Sequence, residues 1–161
     1  MGIKILEFNN EKIDLAYKLF FNALTRKNLQ ELTNAACSIL ECPVLINDDI
    51  SCNLSQAPGH VIGNPDWDLL VQTKSASDAH FTLFYQKYIS DSGTVTYPIL
   101  IHDGDQCKTH QLFSVLKSRN RVLGYSSVLL LYNPQIKAQG IPEEFLQVIR
   151  LFNAAATSIL T

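Results

Sequence analysis

The chain has 161 residues, of which 47% are hydrophobic and 17% charged, and its formal net charge at pH 7 is −2. A chain of this length fits one domain with a core of its own. The 13 basic residues are scattered along the sequence, so no basic stripe is present to neutralise the phosphates of a nucleic acid. We therefore expect contact with DNA only through a fused module that this sequence lacks.

Hydropathy excludes the membrane-spanning classes. No apolar run approaches the roughly 18 residues that a transmembrane helix needs, and the N-terminus lacks the apolar segment of a signal peptide. We expect a cytoplasmic protein without a membrane partner.

Two helices are predicted ahead of the first strand. The first follows Asn10 and carries apolar residues at spacings of three and four. Its apolar stripe consists of Ile13, Tyr17, Phe20 and Leu24. The second begins after Asn28, where Glu31 completes a capping-box-like pair, and it ends before Pro43.

A β-hairpin and two short helices are predicted next. Residues 43–56 are strand-like on both sides of a polar turn at 47–49, whose carboxylates we expect to bond their own backbone. Asn64 and Pro65 are an N-cap and a first helical residue. Asp78 is predicted to open the following helix.

The second half changes to a β pattern. Residues 94–102, 109–117 and 122–132 are rich in β-branched and aromatic side chains, which predicts three strands. Gly124 stands where a side chain would obstruct a bulge or a close packing contact. Helices grouped beside mostly antiparallel strands make this an α+β domain.

The last helix, opened by Pro142, has two apolar strips, one for the sheet and one for another helix. That other helix belongs either to the N-terminal part of the same chain or to a second subunit. We predict a homodimer formed through the terminal helices. Its predicted interface consists of Phe20, Leu24, Phe145, Ile149, Phe152 and Ile159.

The chemistry-bearing residues form no catalytic or metal-binding pattern. The four cysteines, at 37, 42, 52 and 107, include no CxxC pair and have no histidine at zinc-ligand spacing, so we interpret them as free thiols. No phosphate-binding or nucleophile motif is present. We expect no enzymatic activity, no catalytic residue, no cofactor and no metal. The alternative is a small thiol-dependent reductase that uses Cys107 and Cys52.

Several strings resemble the GAF-like sensory domain at the N-terminus of PucR/CdaR-type transcriptional regulators. They are residues 32–40, PVLIND at 43–48, NPDW at 64–67, YPILI at 97–101, residues 112–116, RVLGY at 121–125 and PEE at 142–144. The resemblance covers residues 29–161 and makes residues 1–28 a helical extension of a single domain. It implies a GAF/PAS-like fold, with a mostly antiparallel sheet of five to six strands and flanking N- and C-terminal helices.

The same resemblance implies a cytoplasmic, dimer-forming signal-input domain that binds a small-molecule effector between its sheet and helices. We predict that the pocket is lined by Trp67, Phe81, Tyr85, Tyr97 and His102. Two alternatives stay open: these aromatic side chains fill the core, or the chain is an interaction and dimerisation module without a ligand.

Overall fold

A computed structural model describes residues 10–75, 98–101, 110–130 and 140–161 of the chain. These residues form four helices and five strands. In chain order these are α1 (Asn10–Thr25), α2 (Leu29–Leu40), β1 (Val44–Asp48), β2 (Asn53–Ala57), α3 (Pro65–Thr73), β3 (Ile99–Ile101), β4 (Gln111–Ser118), β5 (Arg121–Leu129) and α4 (Glu143–Leu160). The predicted helix after Asp78 lies outside the described residues.

Side-chain caps start two of the helices, as predicted. The Asn28 Oδ1 atom accepts a hydrogen bond from the backbone N–H of Glu31 at 3.0 Å. Asn64 Oδ1 accepts one from Trp67 N–H at 3.0 Å, with Pro65 as the first residue of α3. Each bond satisfies a backbone donor that the first turn of a helix leaves open.

All strands pair antiparallel in one sheet of order β2-β1-β5-β4-β3. The predicted hairpin is confirmed: β1 and β2 pair directly, and Asp48 Oδ1 accepts bonds from the backbone N–H groups of Ile50 and Cys52 in the turn between them. The α+β prediction is confirmed. A five-stranded antiparallel sheet, with α1 and α4 as the first and last described elements of the chain, is consistent with a GAF/PAS-like architecture.

Gly124 is required by a close approach between strands. It lies opposite Asp48 of β1 and Leu116 of β4, next to a register shift in the β4–β5 pair. A Cβ atom at this position would lie 2.1 Å from the backbone oxygen of Asn47. The prediction of a bulge or close packing contact at Gly124 is confirmed.

Alternate residues of the strands build two separate cores. We call one side of the sheet the helix face, because α2 and α4 pack on it and α1 packs on those two helices; its main strand residues are Val44, Ile46, Leu112, Leu116 and Val128. We call the other side the Trp67 face, because Trp67 and Leu70 of α3 pack there; its apolar strand residues are Leu45, Phe113, Val115, Tyr125 and Leu129.

α1 is rotated relative to the predicted stripe. Ala16, Phe20 and Ala23 are buried, whereas Tyr17 is exposed. The alanines have no side chain beyond Cβ, so this side of α1 can lie close against α2 and α4. Of the large residues of α1, Phe20 therefore lies on the buried side, whereas Tyr17 and Phe21 do not.

Four residues of the predicted dimer interface are core residues of the chain itself. Phe145, Ile149 and Phe152 of α4 are fully buried, and Phe20 of α1 is 3% exposed. The rings of Phe20 and Phe152 lie 6.1 Å apart between centroids. These four side chains are therefore buried within one chain, whereas Leu24 and Ile159 are half-buried, and the homodimer through the terminal helices stays a prediction.

None of the helices in the described ranges combines the length and the apolar character that crossing a membrane requires.

Candidate functional site

A polar groove runs along the free edge of β2, the outermost strand on one side of the sheet. Its volume is about 410 Å³. It is lined by Gln30, Asn34, Asn53, Leu54, Ser55, Gln56, Gly59 and Lys74. Among the described residues, the lining contains four primary amides, one hydroxyl and one ammonium group, and no carboxylate. We call it the β2-edge groove.

α2 forms one wall of the groove and is bonded to the edge strand. Gln30 Nε2 donates to the backbone oxygen of Gln56 at 2.8 Å and to Asn34 Oδ1 at 2.8 Å. Behind them, the hydroxyls of Thr33 and Ser55 are hydrogen-bonded at 2.7 Å. These contacts hold the amide side chains of α2 beside the outward edge of β2.

The end of α3 forms the opposite wall. Lys74 caps α3 in a left-handed conformation, with φ of 59°. Its backbone oxygen accepts a hydrogen bond from Asn53 N–H at 2.9 Å, which ties the end of α3 to the first residue of β2. Lys74 is exposed and is the charged member of the described lining.

Gln56 is the unusual member of the lining. Gln56 is only 5% exposed, yet neither its Oε1 nor its Nε2 atom has a hydrogen-bond partner in the described part of the chain. Leaving a buried polar group unsatisfied costs about 1–3 kcal/mol. Buried amides without partners are rare in folded proteins, and this one carries an acceptor and two donors.

Trp67 is buried at 2% exposure in the core of the Trp67 face. Its Nε1–H donates to the backbone oxygen of His60 at 3.2 Å. The other predicted pocket residues, Phe81, Tyr85, Tyr97 and His102, lie outside the described residues. The pocket around Trp67 therefore stays a prediction.

A buried hydrogen-bond network crosses the Trp67 face beside this core. Tyr125 OH donates to Ser51 Oγ at 2.9 Å and accepts from Asn47 Nδ2 at 2.8 Å. Asn47 Oδ1 in turn accepts from Asn53 Nδ2 at 3.1 Å. Burial raises the pKa of the Tyr125 phenol, while the bonds to Ser51 and Asn47 act in the opposite direction.

This network connects the groove to the middle of the sheet, because Asn53 belongs to both. A second buried pair on the same face joins Ser127 Oγ of β5 to Gln111 Oε1 of β4. The partners are far apart in the sequence, and only the strand register brings them together. No local motif could have revealed them.

Two of the described thiols, Cys42 and Cys37, are poorly suited to act as nucleophiles. Burial raises the pKa of Cys42, and the neighbouring Cys37 and Glu41 raise it further. Burial also raises the pKa of Cys37. A raised pKa leaves less of the nucleophilic thiolate at neutral pH. Cys52 is a half-buried free thiol, and Cys107 lies outside the described residues.

Residues 10–75, 98–101, 110–130 and 140–161 contain no candidate metal site. No group of three or more histidine, cysteine or acidic side chains there could hold a metal ion.

Comparison with known proteins gives no match: neither a protein-family model nor a curated protein matches this chain. The resemblance to GAF-like sensory domains therefore stays a prediction.

Proposed function

We propose that this chain is a signal-input domain that binds a small anionic metabolite in the β2-edge groove. The proposal follows the function that the resemblance to PucR/CdaR-type sensory domains implies. The observation that supports it most strongly is the Gln56 amide, which is buried beside the groove without a partner in the described part of the chain.

The size and the charge of the groove favour such a ligand. A volume of about 410 Å³ is within the usual range for small-molecule sites, roughly 300–1,000 Å³. Lys74 supplies a positive charge, and none of the other lining residues that the structure describes carries a carboxylate. An anionic group on the ligand would therefore bind near Lys74, and its remaining polar atoms would bond the amides.

The two walls of the groove suggest how binding would be transmitted. α2 packs on the helix face of the sheet, whereas α3 packs on the Trp67 face. A ligand held by Gln30 and Lys74 would join elements from both faces. It would favour whichever arrangement of α2 and α3 it binds more tightly, and a fused module would receive that change.

Thermal unfolding with short dicarboxylates and purine nucleotides tests the proposal. A ligand present at 100 times its Kd raises the free energy of unfolding by about 2.7 kcal/mol. We expect Lys74→Ala to reduce this stabilisation, and Lys117→Ala, which removes the same charge outside the groove, to leave it unchanged. An equal response of both variants, or no response of the wild type to either class of anion, would overturn the assignment.

An interaction and dimerisation module is the second candidate function. It is favoured by the apolar side chains that α1 exposes.

A further inference from the structure

Another cavity lies at the end of the sheet where β4 turns into β5, beside the last turn of α4. Its volume is about 730 Å³, within the range of roughly 300–1,000 Å³ that small-molecule sites occupy. Its described lining consists of the hairpin residues 118–121, Leu123, Leu160 and Thr161, none of which lines the β2-edge groove. We call it the hairpin pocket.

A β-bulge turns Leu123 toward this pocket. The β4–β5 ladder pairs Gly124 and then Val122, so Leu123 is an extra residue on β5. Strict alternation would place Leu123 on the Trp67 face, together with Tyr125. The bulge brings it to the helix face instead, where it packs with the core under α4.

Leucine side chains form the apolar part of the hairpin pocket. Leu123 of β5 and Leu160 in the last turn of α4 both pack against the core of the helix face, and both are half-buried. Each therefore keeps part of its apolar surface at the pocket. Burial of this surface would favour a ligand that carries a hydrocarbon group.

Arginine side chains form the polar rim. Arg119 lies in the turn between the strands and Arg121 is the first residue of β5, and both are exposed. Neither forms an ion pair with another residue in the described part of the chain. The described lining holds no acidic side chain, and Thr161, the last residue of the sequence, adds at most one α-carboxylate. The rim is therefore cationic.

Two aspartates lie at the same end of the sheet but outside the pocket. Asp48 pairs with Gly124, and Asp49 follows it in the β1–β2 turn. The Oδ1 atom of Asp48 accepts bonds from the backbone N–H groups of Ile50 and Cys52, and neither aspartate is part of the lining. The guanidinium groups thus keep the planar donor pairs with which arginine binds a carboxylate or phosphate.

We propose that the hairpin pocket binds a small amphipathic anion, with the anionic group at Arg119 and Arg121 and the hydrocarbon part against Leu123 and Leu160. Charge complementarity selects the anionic group, because the described rim carries two guanidinium groups and no acidic side chain. The leucines select the hydrocarbon part, because a fully polar anion would leave them in water. This site goes beyond the sensing role of the β2-edge groove and does not depend on it.

Isothermal titration calorimetry of the full chain with octanoate tests the ligand class, since octanoate joins one carboxylate to a hydrocarbon chain. Acetate has the same charge without the chain, and octan-1-ol has the chain without the charge. We expect each to bind at least about tenfold more weakly than octanoate. Equal binding of octanoate and octan-1-ol, or no binding of octanoate by the wild type, would overturn the proposal.

Substitutions test the position of the site. Arg121→Gln should weaken octanoate binding about tenfold, because it removes a charge-assisted hydrogen bond. Arg150→Gln is the matched control, since it makes the same change at an exposed arginine of α4 outside the pocket; we expect unchanged affinity. Lys74→Ala, which alters the β2-edge groove, should also leave octanoate binding unchanged.

Two results with these variants would contradict the site. Loss of octanoate binding in Lys74→Ala and not in Arg121→Gln would place the anion in the β2-edge groove. A lower melting temperature of Arg121→Gln without ligand, combined with wild-type affinity for octanoate, would show that Arg121 only supports the end of α4. Either result would overturn the proposal.

Discussion

The two faces of the sheet differ in the buried polar side chains that they hold. The helix face packs aliphatic and aromatic residues against α2 and α4, and its polar bonds, such as Ser126 Oγ to Asn153 Oδ1 at 2.6 Å, join one element to another. The Trp67 face combines an apolar cluster with the buried Asn47–Tyr125–Ser51 network and the unsatisfied Gln56 amide.

This difference indicates a division of roles. Apolar burial contributes most of the stability of a domain, so the helix face would supply the larger share. Buried polar groups contribute less to stability and more to a defined arrangement. The Trp67 face and the adjoining groove are therefore where specific recognition is expected, and substitutions on the two faces should behave differently.

The largest effect is expected on the helix face. Phe152→Ala would remove a fully buried ring that contacts Phe20. We expect a loss of about 3–5 kcal/mol in the free energy of unfolding, as for other buried aromatic truncations. Urea denaturation followed by circular dichroism measures it. A variant of unchanged stability that had merely become monomeric would return Phe152 to the dimer interface.

The next largest loss of stability is expected at Gly124, where β5 lies close against β1. Gly124→Ala would force a Cβ atom against the backbone oxygen of Asn47, 2.1 Å away. We expect about 1–3 kcal/mol of destabilisation, measured by the same denaturation. Ser126→Ala, two residues along β5, is the control that removes a side-chain bond without adding an atom. Equal or smaller loss in Gly124→Ala would contradict the steric account.

A smaller effect is expected on the Trp67 face. Tyr125→Phe would leave Asn47 Nδ2 and Ser51 Oγ without their shared partner while keeping the ring against Phe113, whose centroid lies 5.2 Å away. We expect a loss of about 1–2 kcal/mol at neutral pH. Asn47→Ala combined with Tyr125→Phe should cost less than the sum of the single losses, because the two residues share one bond.

The same phenol predicts a pH dependence. Burial raises the pKa of the Tyr125 phenol in the folded chain above its ordinary value of 10.0, so the unfolded chain loses this proton first as the pH rises. Stability from Tyr125 is therefore present below pH 10 and declines above it. Tyr125→Phe should flatten this alkaline decline in denaturation experiments at pH 9 to 11. An unchanged slope would show that other groups, such as Cys42, whose pKa is also raised from 9.0, cause the decline.

The fold could be predicted where the signals are local. The caps at Asn28 and Asn64, the Asp48 turn and Gly124 each act on neighbouring backbone, and each was identified from the residues alone. The buried side of α1 could not be predicted in this way. Apolar periodicity gives most weight to large residues such as Tyr17, whereas two alanines form most of the contact side.

The candidate site was missed because it is made from three separate elements. Gln30 of α2, Gln56 of β2 and Lys74 at the end of α3 are ordinary polar residues in their local sequence. They come together because β2 is the outermost of the described strands on its side of the sheet, the start of α2 lies beside it and α3 ends beside it. A buried amide without a partner results from packing in three dimensions, and the spacing of residues along the sequence does not predict it.

Replacement of Gln56 by methionine tests the central claim most directly, because methionine keeps the length of the side chain and removes its unsatisfied amide. Without ligand, we predict that Gln56→Met raises the free energy of unfolding by about 1–3 kcal/mol and abolishes the stabilisation by an anionic ligand. A lower free energy of unfolding for Gln56→Met, with the ligand response intact, would contradict the account, since the amide would then belong to the fold and not to a binding site.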